Sequence, residues 1–272
     1  MAERVNVKFV LRAGLLALSL AVLITAGWFL FQTPLVRHLG PTPPPPTILA
    51  PRGELPAGPI GLQEWVQYRD ENYQLAGCGF FLSLPDGEIV AVTTAHSVAQ
   101  AGPDHRLERI AMGVAGDDEF VSESDSLFGP PGSPLKPDDL SVDYLLLQVK
   151  EAIDPDLVIA PDPRGAPQPG ERVSLMSGLA GSLGRPQVWS GTVLSASDRT
   201  IWVLMDDSFN PSLMSGSPLL SQHTGQAVGM ALAASPRSGR LLLGAHPISS
   251  LLQRARSATE FPRLEELEMD SD

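Results

Sequence analysis

From about residue 62 onward the chain alternates short apolar runs with polar, turn-forming clusters. Runs of β-branched, aromatic and aliphatic residues predict strands at Cys78 to Ser83, Glu88 to Thr94, Asp143 to Val149, Arg172 to Met176 and Val188 to Ala196. Further strands are predicted at Thr200 to Met205, Pro218 to Ser221, Ala227 to Leu232 and Arg240 to Leu243. Clusters such as Pro85-Asp86-Gly87 and Ser197-Asp198-Arg199 punctuate them. Only Pro247 to Ala255 reads as a helix in this region. The pattern predicts an all-β barrel or sandwich, with two halves of similar strand content at about 62–150 and 165–246.

The N-terminal pattern is different. Ala13 to Phe31 is 19 residues without a charge, with Ser19, Thr25 and the Trp28 indole as its polar side-chain groups. As a helix rising about 1.5 Å per residue it matches a hydrocarbon core of roughly 30 Å. The run exceeds the roughly 7 to 15 apolar residues of a cleaved signal and ends in Trp-Phe-Leu-Phe, not in a small-x-small site. It therefore predicts an uncleaved transmembrane signal anchor. Arg4, Lys8 and Arg12 before it place residues 1–12 in the cytoplasm and the body outside, with the lipid bilayer as a partner of residues 13–31.

Residues 32–61 form a Pro-rich linker, with Pro43 to Pro46 at its centre, expected to be an extended spacer. Residues 257–272, holding six acids from Glu260 on, are expected to be a disordered tail. Composition narrows the chemistry further. Of 272 residues, 26 are Pro and 25 Gly, which excludes a helical bundle. Cys78 is the single cysteine, so no intramolecular disulfide and no multi-cysteine zinc site exists. The 31 acids against 19 bases, net −12, exclude nucleic acid as a partner held by phosphate neutralisation.

Several candidate groups fail on their context. Cys78 lies in the apolar stretch Gly77-Cys78-Gly79-Phe80-Phe81 and reads as an inert core thiol. Ser133-Pro134-Leu135-Lys136 matches a serine-lysine pair in letters, but in a Pro-rich loop. Asp138, Asp139 and Asp143 lack the glycine and closing glutamate of a calcium loop, so neither a metal nor a cofactor is expected. Three positions fare better. Ser215 sits in the turn Met214-Ser215-Gly216-Ser217-Pro218, where a hydroxyl can be presented beside free amides. His96 ends the apolar run Thr93-Thr94-Ala95-His96 and supplies the base a serine needs. Asp143 opens a buried strand, where a histidine partner would relieve an otherwise costly carboxylate.

In that order, with these flanks, the sequence resembles the chymotrypsin-like serine proteases, and most of all the protease domain of the HtrA family. Thr94-Ala95-His96 resembles the histidine motif and Asp143-Tyr144-Leu145-Leu146-Leu147 the aspartate strand. Ser190-Gly191-Thr192-Val193-Leu194-Ser195-Ala196 and Ser215-Gly216-Ser217-Pro218-Leu219-Leu220 resemble further family blocks, and the likeness covers about residues 62–256. The resemblance implies two packed six-stranded antiparallel β-barrels with a C-terminal helix, and hydrolysis of proteins or peptides. His96 is then the general base, Asp143 its orienting acid and Ser215 the nucleophile. The backbone N–H groups of Leu213 and Ser215 form the oxyanion hole, and Ala231, Leu232 and Ala233 the substrate-binding strand. The sequence departs from the family at Leu213, where a glycine is usual, and in an extra residue between Pro211 and Ser215. It also carries Ser97 where a cysteine would bridge to Cys78. These departures motivate the alternative of an inactive, membrane-tethered binding module on the same fold.

Overall fold

The computed structural model describes residues 49, 51–136, 139–179, 187–237 and 239–269. The predicted cytoplasmic start, the transmembrane segment 13–31 and most of the Pro-rich linker lie outside them. Among the described residues no helix is long and apolar enough to cross a membrane.

The first half is built from β1 (Leu62–Tyr68), β2 (Gln74–Ser83), β3 (Ile89–Thr93), β4 (Leu107–Gly113), β5 (Phe120–Ser124), β6 (Leu145–Gln148) and β7 (Val158–Ile159). They form an open sheet in the order β5-β4-β1-β2-β3-β6, with β7 added parallel to β2. This corrects the expectation of a closed six-stranded first barrel. The sequence pattern does not predict β7, which is two residues long, nor β1, β4 and β5, whose stretches interleave charged or polar side chains, as in Leu107-Glu108-Arg109 and Gln63-Glu64-Trp65. In β1 those side chains follow the pleat: buried and half-buried residues alternate along its whole length.

The second half closes fully. β8 (Arg172–Ser177), β9 (Gln187–Ala196), β10 (Ile201–Met205), β11 (Pro218–Ser221), β12 (Ala227–Arg237) and β13 (Arg240–Pro247) form a barrel in the order β10-β13-β12-β11-β8-β9. Val173, Leu175, Val193, Val203, Leu219 and Val228 fill it. Closure removes the sheet edges. β11 is buried on both faces, with Leu219 inside the barrel and Leu220 in the cluster that faces the first sheet.

A third apolar cluster joins the halves. Period-two alternation sends Phe81, Leu145 and Leu147 into the first sheet's own core, while Phe80, Leu82 and Leu146 point the other way. There they meet Met176, Leu220, Met230 and Leu232 of the barrel. Helix α1 (Ile248–Arg256) closes one side with Ile248, Leu251 and Ala255, spaced as one helical face.

The acidic C-terminal stretch is a second correction. Residues 257–269 are ordered against the first sheet: Leu127 N–H donates to Pro262 C=O at 2.8 Å and Leu264 N–H to Asp125 C=O at 3.0 Å. Leu264, Leu267 and Met269 are buried and Arg263 pairs with Asp125 at 2.7 Å. Interspersed leucines anchor this stretch despite its charge.

Candidate active site

The site forms where ends of strands from the two halves meet. β3 runs straight into a 3₁₀ turn, His96–Val98, so His96 is presented at the end of a buried strand. Asp143 follows a second 3₁₀ turn, Leu140–Val142, just before β6. That turn is capped by Asp139, whose Oδ1 accepts from Ser141 N–H at 2.9 Å, which is the task of an acid considered above as a cation ligand.

The two turns are locked together by one carboxylate. Asp143 is fully buried; its Oδ2 accepts from His96 Nδ1–H at 2.6 Å, and its Oδ1 from the Ala95 and His96 backbone N–H groups at 2.8 and 3.1 Å. Three donors on one acid compensate its desolvation and fix the imidazole tautomer, with Nε2 left for a substrate-side proton. Burial opposes a charge on His96, but the hydrogen bond and charge of Asp143, with a smaller contribution from Glu64, outweigh it and raise its pKa above the ordinary histidine value.

Two residues that the sequence did not point to support this frame. His246 on β13 is buried, with Nε2 at 2.9 Å from Ser141 C=O and its ring edge-on to Tyr144, 5.7 Å between centroids. Its Nδ1 lies 2.9 Å from Pro247 C=O; burial lowers its pKa to about 4 against the pull of these two carbonyls, and the contact with Ser141 joins the barrel to the Asp143 turn. Glu64, fully buried on β1, lies behind the His96 turn, with Oε1 at 2.8 Å from Ser97 Oγ. Neither belongs to a local motif; each becomes visible only when distant strands meet.

Ser215 arrives from the barrel, on the turn before β11. Its carbonyl accepts from Cys78 N–H at 2.9 Å, Gly216 N–H donates to Ala231 C=O at 2.8 Å, and Ala231 N–H to Ser217 C=O at 2.8 Å. Gly216 has φ +92°, and a Cβ there would lie 1.8 Å from Cys78 C=O. The serine turn is thereby pressed against β2, beside Thr93, whose Oγ1 donates to the same Cys78 carbonyl at 2.9 Å. Gly216→Ala is expected to cost about 3 kcal/mol or more, because backbone faces backbone and cannot yield. A chemical melt showing less than about 1 kcal/mol lost would contradict that packing.

The Ser215 hydroxyl donates to Leu232 C=O at 3.0 Å and not to His96. Leu232 falls at a bulge: opposite β13, Ala231 pairs with Ala245 and Ala233 with Gly244, so Leu232 stands outside the regular ladder and its carbonyl is available. Of the expected substrate strand, Ala231 has both its N–H and its C=O engaged by the serine turn, with Ser217 C=O and Gly216 N–H. Leu213, half exposed, adopts φ +61°, a left-handed conformation that costs a leucine about 1 kcal/mol or more. Among the described residues neither Leu213 N–H nor Ser215 N–H meets an acceptor, so the two groups expected to form an oxyanion hole are free.

A pocket of about 200 Å³ opens beside Ser215, lined mainly by Leu175, Phe209, Met214, Ala233, Ala234 and Leu243, and among the described residues no charged side chain lines it. Cys78 is buried with its thiol pKa raised by desolvation and its Sγ 3.6 Å from Ser177 Oγ, a packed group and not a second nucleophile.

No family model and no curated protein matches the chain. Among solved structures it is similar to the serine endoprotease from Yersinia pestis, at TM-score 0.50 and 18% identity over 74% of this chain and 65% of that one. The chain thus spans about 65% of the length of that relative. Kallikrein-related peptidase 10 aligns at TM-score 0.51 and 16% identity over 75% of this chain and 96% of that one. HL collagenase aligns at TM-score 0.50 and 16% identity over 76% and 96%. These neighbours are chymotrypsin-like serine proteases, and the fold of this chain is theirs.

Proposed function

We propose that the protein is a serine endopeptidase that uses His96, Asp143 and Ser215 and acts on extracytoplasmic proteins or peptides from a membrane anchor at residues 13–31. The observation that carries the reading is the pairing of buried Asp143 with His96 at 2.6 Å beside a serine turn with two N–H groups unengaged among the described residues. In the reaction, Ser215 Oγ attacks the scissile carbonyl while His96 Nε2 takes its proton. Asp143 steadies the imidazolium, and the N–H groups of Leu213 and Ser215 receive the oxyanion. His96 then returns the proton to the leaving amine, and water releases the acyl group by the same steps.

The Ser215–Leu232 hydrogen bond fits this cycle as a resting arrangement. A substrate lying along Leu232 and Ala233 offers its own N–H to Leu232 C=O by β-addition, displacing the hydroxyl towards His96. The exchanged bond is worth about 0.5–1.5 kcal/mol, small beside the binding energy of an extended peptide. Catalytic hydrogen bonds commonly tighten only once substrate is bound.

The uncharged pocket sets the expected preference. Peptides with a medium apolar residue before the scissile bond are expected to be cleaved about 10²-fold or more faster than those with Lys, Arg, Asp or Glu there, because a charge would be buried unpaired. Relative kcat/KM over such a peptide series is the test, and a preference for a charged residue would count against this pocket. A second reading, an inactive binding module, is favoured by one observation, the strained Leu213 at the oxyanion position. A folded domain that binds extended peptides but never reacts with a fluorophosphonate would decide for it.

A further inference from the structure

Glu64 has no part in the steps above, yet its carboxyl lies behind the turn that carries the base. It falls on the inward side of β1 with Leu62 and Val66, and is fully enclosed. Ser97 Oγ is 2.8 Å from Glu64 Oε1 and 2.7 Å from Thr94 C=O. A serine hydroxyl has one proton, and a carbonyl only accepts. Both contacts are satisfied together when the acid holds a proton of its own, donated to Ser97, so that Ser97 donates to Thr94. The second oxygen, Oε2, makes no hydrogen bond among the described residues, the neighbouring Thr93 hydroxyl being given to Cys78 C=O, and a neutral acid tolerates that far better than a carboxylate. Gly77, paired with Glu64 across β1 and β2, leaves room for it: a Cβ there would lie 3.0 Å from Oε2 and 3.1 Å from Ser215 C=O.

We propose that Glu64 is a positioning residue for His96: as a neutral acid it completes a chain of hydrogen bonds through Ser97 to Thr94 C=O, and on losing its proton it releases that turn. The proposal rests on the peptidase reading. Thr94 is followed directly by the two N–H groups that grip Asp143, so slack in the turn reaches the imidazole. The ionisable groups facing Glu64 are His96 from the turn after β3, Asp143 from the turn before β6, and Tyr68 further along β1. The Cys78 thiol on β2 is directed towards Ser177. Burial is the main cause that raises the Glu64 pKa to about 7; nearby hydroxyls and His96 hold it down and Asp143 adds to it. Ionisation therefore begins in the neutral range, and the sign is a loss of activity as pH rises.

The test is the pH profile of kcat/KM. An acid limb belongs to His96, which must be neutral to act. An alkaline limb close to neutrality, falling about tenfold per pH unit, belongs to Glu64. Glu64→Gln keeps a donor to Ser97 and cannot ionise, so it is expected to retain activity below the limb and to lose the limb. Ser97→Ala, which cuts the link and spares the acid, is expected to lose the limb together with several-fold of the activity, and serves if Glu64→Gln does not fold. A limb unchanged in the variant that folds, or absent from the parent protein, overturns the proposal. The imidazole nitrogen resonances of His96, titrated in Ser215→Ala protein, need no turnover. Two inflections there, reduced to one by adding Glu64→Gln, support the coupling; one inflection in both proteins overturns it. Absent turnover alongside two inflections would sink the peptidase reading alone.

Discussion

Ser215→Ala and His96→Ala are each expected to lower kcat by about 10⁵-fold, and the double variant to be no worse than either single one. On the peptidase reading, proton removal and attack are one event. Without His96 the Ser215 hydroxyl remains a weak nucleophile bonded to Leu232 C=O, and without Ser215 the imidazole has no substrate-side partner. Asp143→Asn should follow with a loss of about 10⁴-fold, because an amide in the place of Oδ2 directs the wrong tautomer of His96. Peptide turnover by the domain, together with active-site labelling by a fluorophosphonate, measures all of these. Independent losses that multiply in the double variant would mean that the two residues do not act as a unit.

The largest stability effect is expected far from the chemistry. Arg164 reaches two carboxylates that are 0% and 1% exposed: its Nη2 lies 2.6 Å from Asp162 Oδ2 and 2.7 Å from Glu171 Oε1. Thr224 Oγ1 donates to Asp162 at 2.7 Å and Ser221 Oγ to Glu171 at 2.5 Å, so the loop before β8 is riveted to the turn between β11 and β12. Burial pushes both carboxyls up, and Arg164 with the hydroxyls more than reverses it, holding both below the usual carboxylate range. Arg164→Met strands two buried charges and is expected to cost about 3–5 kcal/mol. For a domain of this size that lowers Tm by roughly 10 °C. The sign with pH follows. Depressed carboxyl pKa values stabilise the fold above the carboxylate range and cease to do so as pH falls through it. The deficit of Arg164→Met should therefore be largest near neutrality and shrink in acid. Thermal melts across pH check this; a deficit that grows as the carboxyls protonate would contradict it.

The residues that carry the candidate chemistry were legible because each ends a locally readable pattern. His96 closes an apolar strand, Asp143 opens one, and Ser215 sits in a glycine-bearing turn before another. Their chain order and flanks resembled a known family, whose fold the structure bears out in a closed second barrel and a more open first sheet. Polar and charged residues inside strands were where local reading failed. Glu64 in a run of glutamines and aromatics resembles any solvated position, and it took the inward pleat of β1 to bury it.

Hydrophobic periodicity and turn chemistry act over a few residues, and at that range the chain by itself located nine of the strands and the helix that follows β13, and singled out the candidate base, acid and nucleophile. Contacts across long separations were decided only by the tertiary structure. His246 meets Ser141, 105 positions away, and Arg263 meets Asp125 across 138, so the charged C-terminal stretch is ordered where its composition predicts otherwise. The same holds for the Ser97 hydroxyl, which meets both Glu64 and Thr94, and for the bulge that frees Leu232 to hold the serine hydroxyl. The energy of a buried polar group depends on which partners surround it, and those partners come from other strands.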